Sequence, residues 1–339
     1  MRTPQAVALV CAPDAPAAEL ALAFEELPQA RVALLLDRRR RGEGPGVAGT
    51  RRVASLREVL ADEEVDAVVF ASAALAADGA ALAALGAEKH VLIVGPVEGS
   101  SAEVEELVSL AAARRRTLVA SPPSLCRAGV VGLRRLVDRD ALGELFYAHL
   151  TAAARRPGPR GDVLADMAPE AVALVLDVLA DEPVEVAART ESYLGSGGAD
   201  VLRAELRFAT GVTAHLDLSA LGGERAERLV VAGSEAAAVF ATSASARTLV
   251  LHPRDPVVEH EAAALALELA PDRELRDLCA HFLTALRRPA AAPGRDAAAV
   301  AAVLEAVAAS ARFGGTAEAV ACSAPRPGIS LVAAETTGT

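Results

Sequence analysis

Val65-Asp-Ala-Val-Val-Phe70, a helical pattern from Asp78 to Gly86, and His90-Val-Leu-Ile-Val94 follow one another in residues 65–94, and their reading decides the fold. Both outer pieces are short apolar runs without polar alternation, as expected of parallel strands buried on both faces. Two parallel neighbours need a crossover, and the helical pattern between them supplies it. The same rhythm extends upstream. Val7-Ala-Leu-Val10 reads as a strand, Ala17 to Glu26 as a helix and Arg31-Val-Ala-Leu-Leu-Leu-Asp37 as the second strand. Residues 42–49 are glycine-rich and loop-like, and Leu56 to Leu60 is a short helix. Downstream, Ser100 and Glu103 form a capping box, and Val104, Leu107, Val108 and Ala111 are the inner stripe of the helix it opens. Thr117-Leu-Val-Ala120 closes the set. Right-handed crossovers then give a doubly wound parallel sheet of Rossmann type.

The rest of the chain has another rhythm. Helical patterns at 129–138 and 165–179 precede strand-like runs at 184–193, 201–209, 212–219, 228–233 and 247–251. Glycine turns such as Thr210-Gly211 and Gly222-Gly223 join several of them. Strands without intervening helices predict an antiparallel sheet in a second domain. In the first of two further helices, Leu275, Leu278, Cys279, Phe282 and Leu286 share a face; the second runs from about Asp296 to Arg312. The expected division is 1–121, 122–322 and a loose tail, 323–339.

Composition excludes several classes. Of 339 residues 53% are hydrophobic and 23% charged, which rules out wholesale disorder. The net charge of −11 leaves no basic excess to neutralise nucleic-acid phosphates. Cys11, Cys126, Cys279 and Cys322 lack the spacing of a zinc knuckle or redox dithiol and read as reduced, packed thiols. His90, His149, His215, His252, His260 and His281 show no metal-ligand spacing, so no metal site is expected. No Gly-x-Ser-x-Gly elbow is present. The apolar stretches are alanine-rich and broken by charges, and the first residues run almost directly into a strand. The expectation is therefore no membrane span, no leader and a cytoplasmic protein.

Several phrases, in this order, resemble the Gfo/Idh/MocA oxidoreductases, the family of glucose–fructose oxidoreductase and inositol dehydrogenase. Lys89-His-Val-Leu-Ile-Val-Gly95-Pro96 is similar to that family's "GKHVLVEKP" strand and turn. Ala141-Leu-Gly143-Glu144-Leu145 resembles its "GxLGEv" step, and Val231-Ala-Gly233-Ser234-Glu235 its "v.GseG" turn. Asp162-Val-Leu-Ala-Asp166-Met-Ala-Pro-Glu170 resembles the helix opening that carries an aspartate and, four residues on, a histidine. The resemblance covers the chain to about residue 320. It implies a Rossmann domain, an α/β domain with a large, open, mostly antiparallel sheet, and hydride transfer between NAD(P) and a sugar or cyclitol hydroxyl.

The chain departs from the family's pattern where that chemistry is done. The turn after the first strand reads Cys11-Ala-Pro13-Asp14-Ala-Pro16, with none of the glycines that let a backbone approach a pyrophosphate. Pro13 and Pro16 lack N–H donors, and Asp14, as an N-cap, occupies the positive helix end. Gly95 stands where the family lysine would be, and Glu170 where many members carry a histidine base. Asp166 is retained. Ala73 and Asp78 stand where a proline and histidine usually follow the third strand. Asp37 and Pro96 are the positions that would meet a cofactor. Arg38 to Arg41 suit either a 2′-phosphate or a solvated charge run. Arg155, Arg156 and Arg160 lie on a stiffened loop that borders the family's substrate cleft. They suit either a small anionic or sugar-like ligand or a solvated surface.

The expectation from these departures is a scaffold that holds no cofactor tightly and has lost hydride transfer, serving as a binding or partner protein. The alternative is a divergent, active NAD(P)-dependent oxidoreductase with Glu170 or Asp166 as base. A third reading pairs Asp166 and Glu170 on one helix face without a nicotinamide. In strand 212–219, Thr213, His215, Asp217 and Ser219 alternate with apolar residues, giving a polar but lightly charged outer face. Self-association through that sheet is expected.

Overall fold

A computed structural model describes residues 4–12, 17–37, 49–154, 161–195, 197–243, 246–254, 267–268, 273–287 and 295–321. The chain divides into two compact units. Among the described residues the first holds those up to 123 and 273–301, and the second those of 124–272 and 302–321.

In the first unit the elements are β1 (Gln5–Cys11), α1 (Ala17–Glu25), β2 (Ala30–Asp37), β3 (Arg51–Val53), α2 (Leu56–Ala61), β4 (Ala67–Phe70), α3 (Ala73–Ala76), α4 (Ala80–Gly86), β5 (His90–Val94), α5 (Ser101–Arg114) and β6 (Leu118–Ser121). All six strands pair in parallel in the order β3-β2-β1-β4-β5-β6. Reversal of strand order beside β1 makes this a doubly wound sheet with its switch point between β1 and β4. Val7, Leu9, Val68, Phe70, Val91 and Ile93 are fully buried, which is why these strands carry no polar alternation. The capping box forms as read. Ser100 Oγ accepts from the Glu103 amide at 3.3 Å, and Glu103 Oε2 accepts from the Ser100 amide at 2.7 Å. Val104, Leu107 and Ala111 are buried behind it.

Helix α9 (Glu274–Arg287) and the first residues of α10 (Arg295–Arg312) belong with this unit, although they follow the second in sequence. The division near residue 121 is therefore not a single cut. The physical reason is the apolar stripe of α9: Leu278, Cys279 and Phe282 are buried, and the helix packs on α1. Arg273 and Arg276 reach Glu26, just past α1, at 3.1 and 3.5 Å.

The second unit contains α6 (Ala128–Asp138), β7 (Leu145–Ala153), α7 (Val163–Asp166), α8 (Ala168–Leu179), β8 (Pro183–Glu191), β9 (Val201–Phe208), β10 (Thr213–Ser219), β11 (Ala226–Gly233), β12 (Ala236–Thr242), β13 (Arg247–Pro253), β14 (Leu267–Glu268) and β15 (Glu318–Ala319). They form a nine-stranded sheet, β14-β13-β12-β11-β7-β10-β9-β8-β15. Among the described strands of this sheet only β7 and β10 pair in parallel. Strand β12 is absent from the sequence reading because Ala236-Ala-Ala-Val-Phe-Ala-Thr242 is dominated by alanine, a weak strand former. It forms as the return arm of a hairpin with β11, burying Phe240.

Helix α8 covers the inner face and buries Val172, Leu174, Val175, Leu176 and Val178. Helix α6 packs on α8, β12 and β13, and its buried Arg134 meets Asp177 of α8 at 2.6 Å. On β10, Ala214, Leu216 and Leu218 face inward while Thr213, His215, Asp217 and Ser219 lie on the outer face, matching the predicted alternation. No described helix is long and apolar enough to cross a membrane. The expected tail from 323 lies outside the described residues.

Candidate active site

In the first unit the switch point lies between the carboxyl ends of β1 and β4. Asp37 ends β2 with its Cα in register with Cys11 at the end of β1. An acidic side chain thus stands beside the first strand's end, where dinucleotide folds hold a ribose. Helix α1 starts at Ala17, so its N-terminus follows that strand end. Residues 13–16 and Arg38 to Arg41 lie outside the described residues.

Two strands along, Gly95 directly follows β5 and donates its amide to the Ser121 carbonyl at 2.9 Å. Its φ is +120°, a conformation that L side chains rarely adopt. The nearest atom to a Cβ there would be the Ala73 amide nitrogen at 4.0 Å. The turn therefore has space for a side chain but a backbone shaped for glycine. Pro96 follows directly and is half-buried.

Lys89, the chain's single lysine, does not compensate. It is 8% exposed, and its Nζ donates to the carbonyls of Asp62 at 2.8 Å and Val65 at 2.7 Å. These bonds tie the α2–β4 loop to the start of β5. The neighbouring His90 accepts the Thr117 amide on Nδ1 at 2.9 Å. Its pKa is lowered from 6.5 to about 4, first by burial and then by Arg116, with Asp66 opposing.

In the second unit the predicted carboxylates separate. Asp162 caps α7, its Oδ1 accepting from the Leu164 amide at 3.0 Å, and Asp166 Oδ2 accepts from the Asp162 amide at 3.3 Å. Met167 interrupts the run between α7 and α8. The helical pattern read over 165–179 is thus two helices, and the two carboxylates have different partners. Asp166 turns back to its own helix start. Glu170, in the first turn of α8, turns to Arg127, whose Nη2 is 3.4 Å from Glu170 Oε1. Arg127 Nη1 also donates to Glu227 Oε1 at 2.7 Å, and Arg225 Nη2 lies 4.0 Å from Glu170 Oε2.

Sequence reading missed Arg127 and Glu227. Arg127 has no local signal, being a lone arginine 100 residues from its partner. Glu227 did carry one. It shares the strand parity of Leu229 and Val231, which are buried, so an acidic residue stands at an inward position of β11. Burial pushes the Glu227 carboxyl above its ordinary pKa; Arg127 opposes this and the Glu170 charge adds to it.

Arg155, Arg156 and Arg160 lie outside the described residues; the Ala154 amide, just before them in sequence, donates to the Ser219 carbonyl at 3.0 Å. Among the described residues no group of three or more His, Cys, Asp or Glu side chains could hold a metal ion.

Residues 8–121 match the family model of the oxidoreductase family with an NAD-binding Rossmann fold, and residues 130–239 match the GFO/IDH/MocA C-terminal domain. The chain belongs to the Gfo/Idh/MocA oxidoreductase family. No curated protein matches it.

Similar solved structures include an oxidoreductase from Agrobacterium radiobacter in complex with NAD+, L-tartaric acid and magnesium. It is 16% identical, with a TM-score of 0.81 over 94% of this chain and 98% of that one. GenD2 from gentamicin A biosynthesis, in complex with NAD, is 22% identical with a TM-score of 0.76 over 95% and 98% of the two chains. UDP-N-acetylglucosamine 3-dehydrogenase GnnA from Acidithiobacillus ferrooxidans is 21% identical with a TM-score of 0.75 over 92% and 99%. At these identities the likeness is one of fold.

Two Gfo/Idh/MocA phrases meet in space. The amides of Ser234 and Glu235 donate to the carbonyls of Glu144 at 2.8 Å and Leu142 at 3.0 Å, and the Glu144 amide donates to Ser234 Oγ at 3.1 Å. Gly143 and Gly233 sit inside this knot. A Cβ on Gly233 would lie 2.2 Å from the Leu142 carbonyl oxygen. These phrases hold the start of β7 to the β11–β12 turn.

Proposed function

We propose that this chain is a divergent nicotinamide-dependent oxidoreductase acting on a hydroxyl of a sugar, cyclitol or hydroxy acid. The observation that carries the reading is Asp37 at the end of β2, in register with the end of β1, on the strand order of a dinucleotide-binding sheet. Asp37 would take the ribose hydroxyls. The N-terminus of α1 would face the pyrophosphate, and Gly95-Pro96 would border the nicotinamide end. The cofactor, when bound, supplies the acceptor for a hydride leaving the substrate's carbinol carbon. Glu170 accepts the proton of the same hydroxyl, while Asp166 braces the start of α7 through Asp162. The substrate class follows the relatives whose names include a sugar-nucleotide dehydrogenase and a complex with tartaric acid. In this reading the arginines of 155–160 take the acid or phosphate of an anionic substrate, and a second copy of the chain covers the outer face of the nine-stranded sheet.

The test is thermal unfolding of the purified chain with NAD(H) and NADP(H), followed by nicotinamide absorbance across sugars, cyclitols, hydroxy acids and their keto forms. A ligand at 100 times its Kd stabilises by about 2.7 kcal/mol. Stabilisation with turnover supports the reading, and absence of both overturns it. A second reading then applies, that of a silent scaffold serving as a binding or partner protein. It is favoured by the backbone of Gly95, where the family's lysine would be strained, and by the glycine-free turn from Cys11 to Pro16.

A further inference from the structure

Arg127 stands between two glutamates brought together from α8 and β11. Its Nη1 donates to Glu227 Oε1 at 2.7 Å, and its Nη2 faces Glu170 Oε1 at 3.4 Å. The Arg127 and Glu227 side chains are 10% and 12% exposed, whereas Glu170 is 32% exposed. Two carboxylates thus compete for one buried guanidinium, and only Glu170 shows a substantial surface. Arg225 approaches the far oxygen of Glu170 at 4.0 Å, but it is 77% exposed and solvent screens it.

We infer that Arg127 and Glu227 are positioning residues for the Glu170 carboxylate, and that the charge on Glu227 decides how fully Arg127 holds it. This rests on the proposed role of Glu170 as proton acceptor. With Glu227 ionised, Arg127 is divided between two anions and holds Glu170 only in part. With Glu227 neutral, the whole guanidinium charge falls to Glu170 and weakens it as a base. The two carboxylates thus share one guanidinium, and a change of charge on Glu227 changes the hold on Glu170.

The surroundings support this. Glu227's neighbours across the sheet are Ala152 of β7 and Thr242 of β12, neither of them titratable. The charged groups facing it are Arg127 ahead of α6, Glu170 of α8 and Arg225 on its own strand segment, and burial raises its pKa against the pull of Arg127.

The experiment uses the full chain. Carboxyl-carbon NMR follows Glu227 in wild type and in Glu170→Gln, and the pH profile of kcat/KM is compared between wild type and Glu227→Gln. Removing the like charge should move the Glu227 midpoint to lower pH. Glu227→Gln should lower kcat about tenfold at the plateau with little change in KM, and should displace the acid limb to lower pH. Should Glu227→Gln fail to fold, Arg127→Lys serves instead. It keeps one charge but cannot span both carboxylates, so the Glu227 midpoint should rise. An unmoved Glu227 midpoint overturns the inference, and so does a Glu227→Gln profile that superimposes on wild type. Coupled titration in a chain that turns nothing over upholds the pair and overturns the catalytic reading instead.

Discussion

A Cβ placed on Gly143 would lie 2.3 Å from Oγ of Ser234, and Gly143 has a φ of +68°. The glycine is thus required twice, by its backbone conformation and by the serine that accepts the Glu144 amide. Gly143→Ala should destabilise the second unit by about 2–4 kcal/mol, from left-handed strain and overpacking together. Ser234→Ala loses one hydrogen bond and should cost about 1 kcal/mol. Urea unfolding that ranked the two substitutions in the opposite order would refute this account of the knot.

Lys89 was legible in sequence only as part of a phrase, and its role was not. A lysine at the entrance of a buried strand reads as a solvated flank. Only the folded chain brings its Nζ to two carbonyls, 24 and 27 residues earlier in sequence. The parallel sheet, by contrast, was readable in five of its six strands, because strands buried on both faces are continuous apolar runs and the capping box is local; β3, Arg51-Arg-Val53, is short and mostly exposed and carries no such run. What failed was nonlocal or compositionally weak. Met167 breaks a helix whose periodicity carries straight through it. Strand β12 is alanine-rich and exists because β11 and β13 pair with it. The meeting of Arg127, Glu170 and Glu227 depends on three elements that no spacing rule connects.

Lys89→Met should cost about 2–3 kcal/mol, since two charge-assisted bonds are lost and two part-buried carbonyls are left without the ammonium. Turnover per folded molecule should not change. If Lys89→Met were stable but inactive, the lysine would belong to the chemistry rather than to the loop it ties.

His90 links stability to pH. Its pKa in the folded chain is about 4, against 6.5 for the ordinary group, so the unfolded chain binds the extra proton first. The stability due to neutral His90 is complete above pH 6.5 and is lost as the pH falls towards 4. For this half-buried ring the loss amounts to about 2–3 kcal/mol after solvent screening. His90→Asn keeps an acceptor for the Thr117 amide and cannot titrate, so its unfolding temperature should fall less between pH 6.5 and 4. Parallel curves for the two proteins would remove His90 as the cause.

The outer face of the nine-stranded sheet divides by charge. Its β8–β9 side carries the pairs Arg207–Glu185 at 3.1 Å and Arg203–Glu191 at 3.4 Å. Across β7, β11, β12 and β13, the register aligns His149, Val230, Val239 and Val250, with the 41% exposed Tyr147 on the same face. A lightly charged row of this kind suits a second copy of the chain. Sedimentation should therefore show an oligomer at micromolar concentration, and Val239→Arg should return it to monomer. A wild-type monomer at high micromolar concentration would dismiss the interface.

Ligand recognition by the loop at 155–160 gives a separate expectation. Three arginines between Ala154 and Gly161 are the nearest dense positive charge in sequence to the Asp162–Glu170 segment. An anionic substrate should bind the Arg155/Arg156/Arg160 triple alanine variant at least tenfold more weakly, in KM rather than kcat, with weaker salt dependence. An unchanged KM would reduce the loop to surface.

Restoring the family lysine should not enhance the chain's activity. At Gly95 the open space around a Cβ invites the substitution, but the φ of +120° opposes it. A lysine there either holds a backbone conformation that costs about 1–3 kcal/mol or relaxes the turn between β5 and Pro96. Relaxation would pull on the Gly95 amide and its bond to Ser121 at the end of β6. In the first case the ammonium stands on a strained base; in the second the turn that carries it has left its native course. Proton transfer needs the donor and acceptor within hydrogen-bond reach, so neither outcome supplies the 10²–10⁴-fold typical of a placed acid or base. Gly95→Lys should therefore be less stable than wild type and show no gain in kcat/KM with any substrate the wild type accepts. Gly95→Ala carries the same backbone strain without the amine. If Gly95→Lys were tenfold faster than both, a turn able to present lysine would have been demonstrated, and the glycine backbone would be no barrier to the family's chemistry.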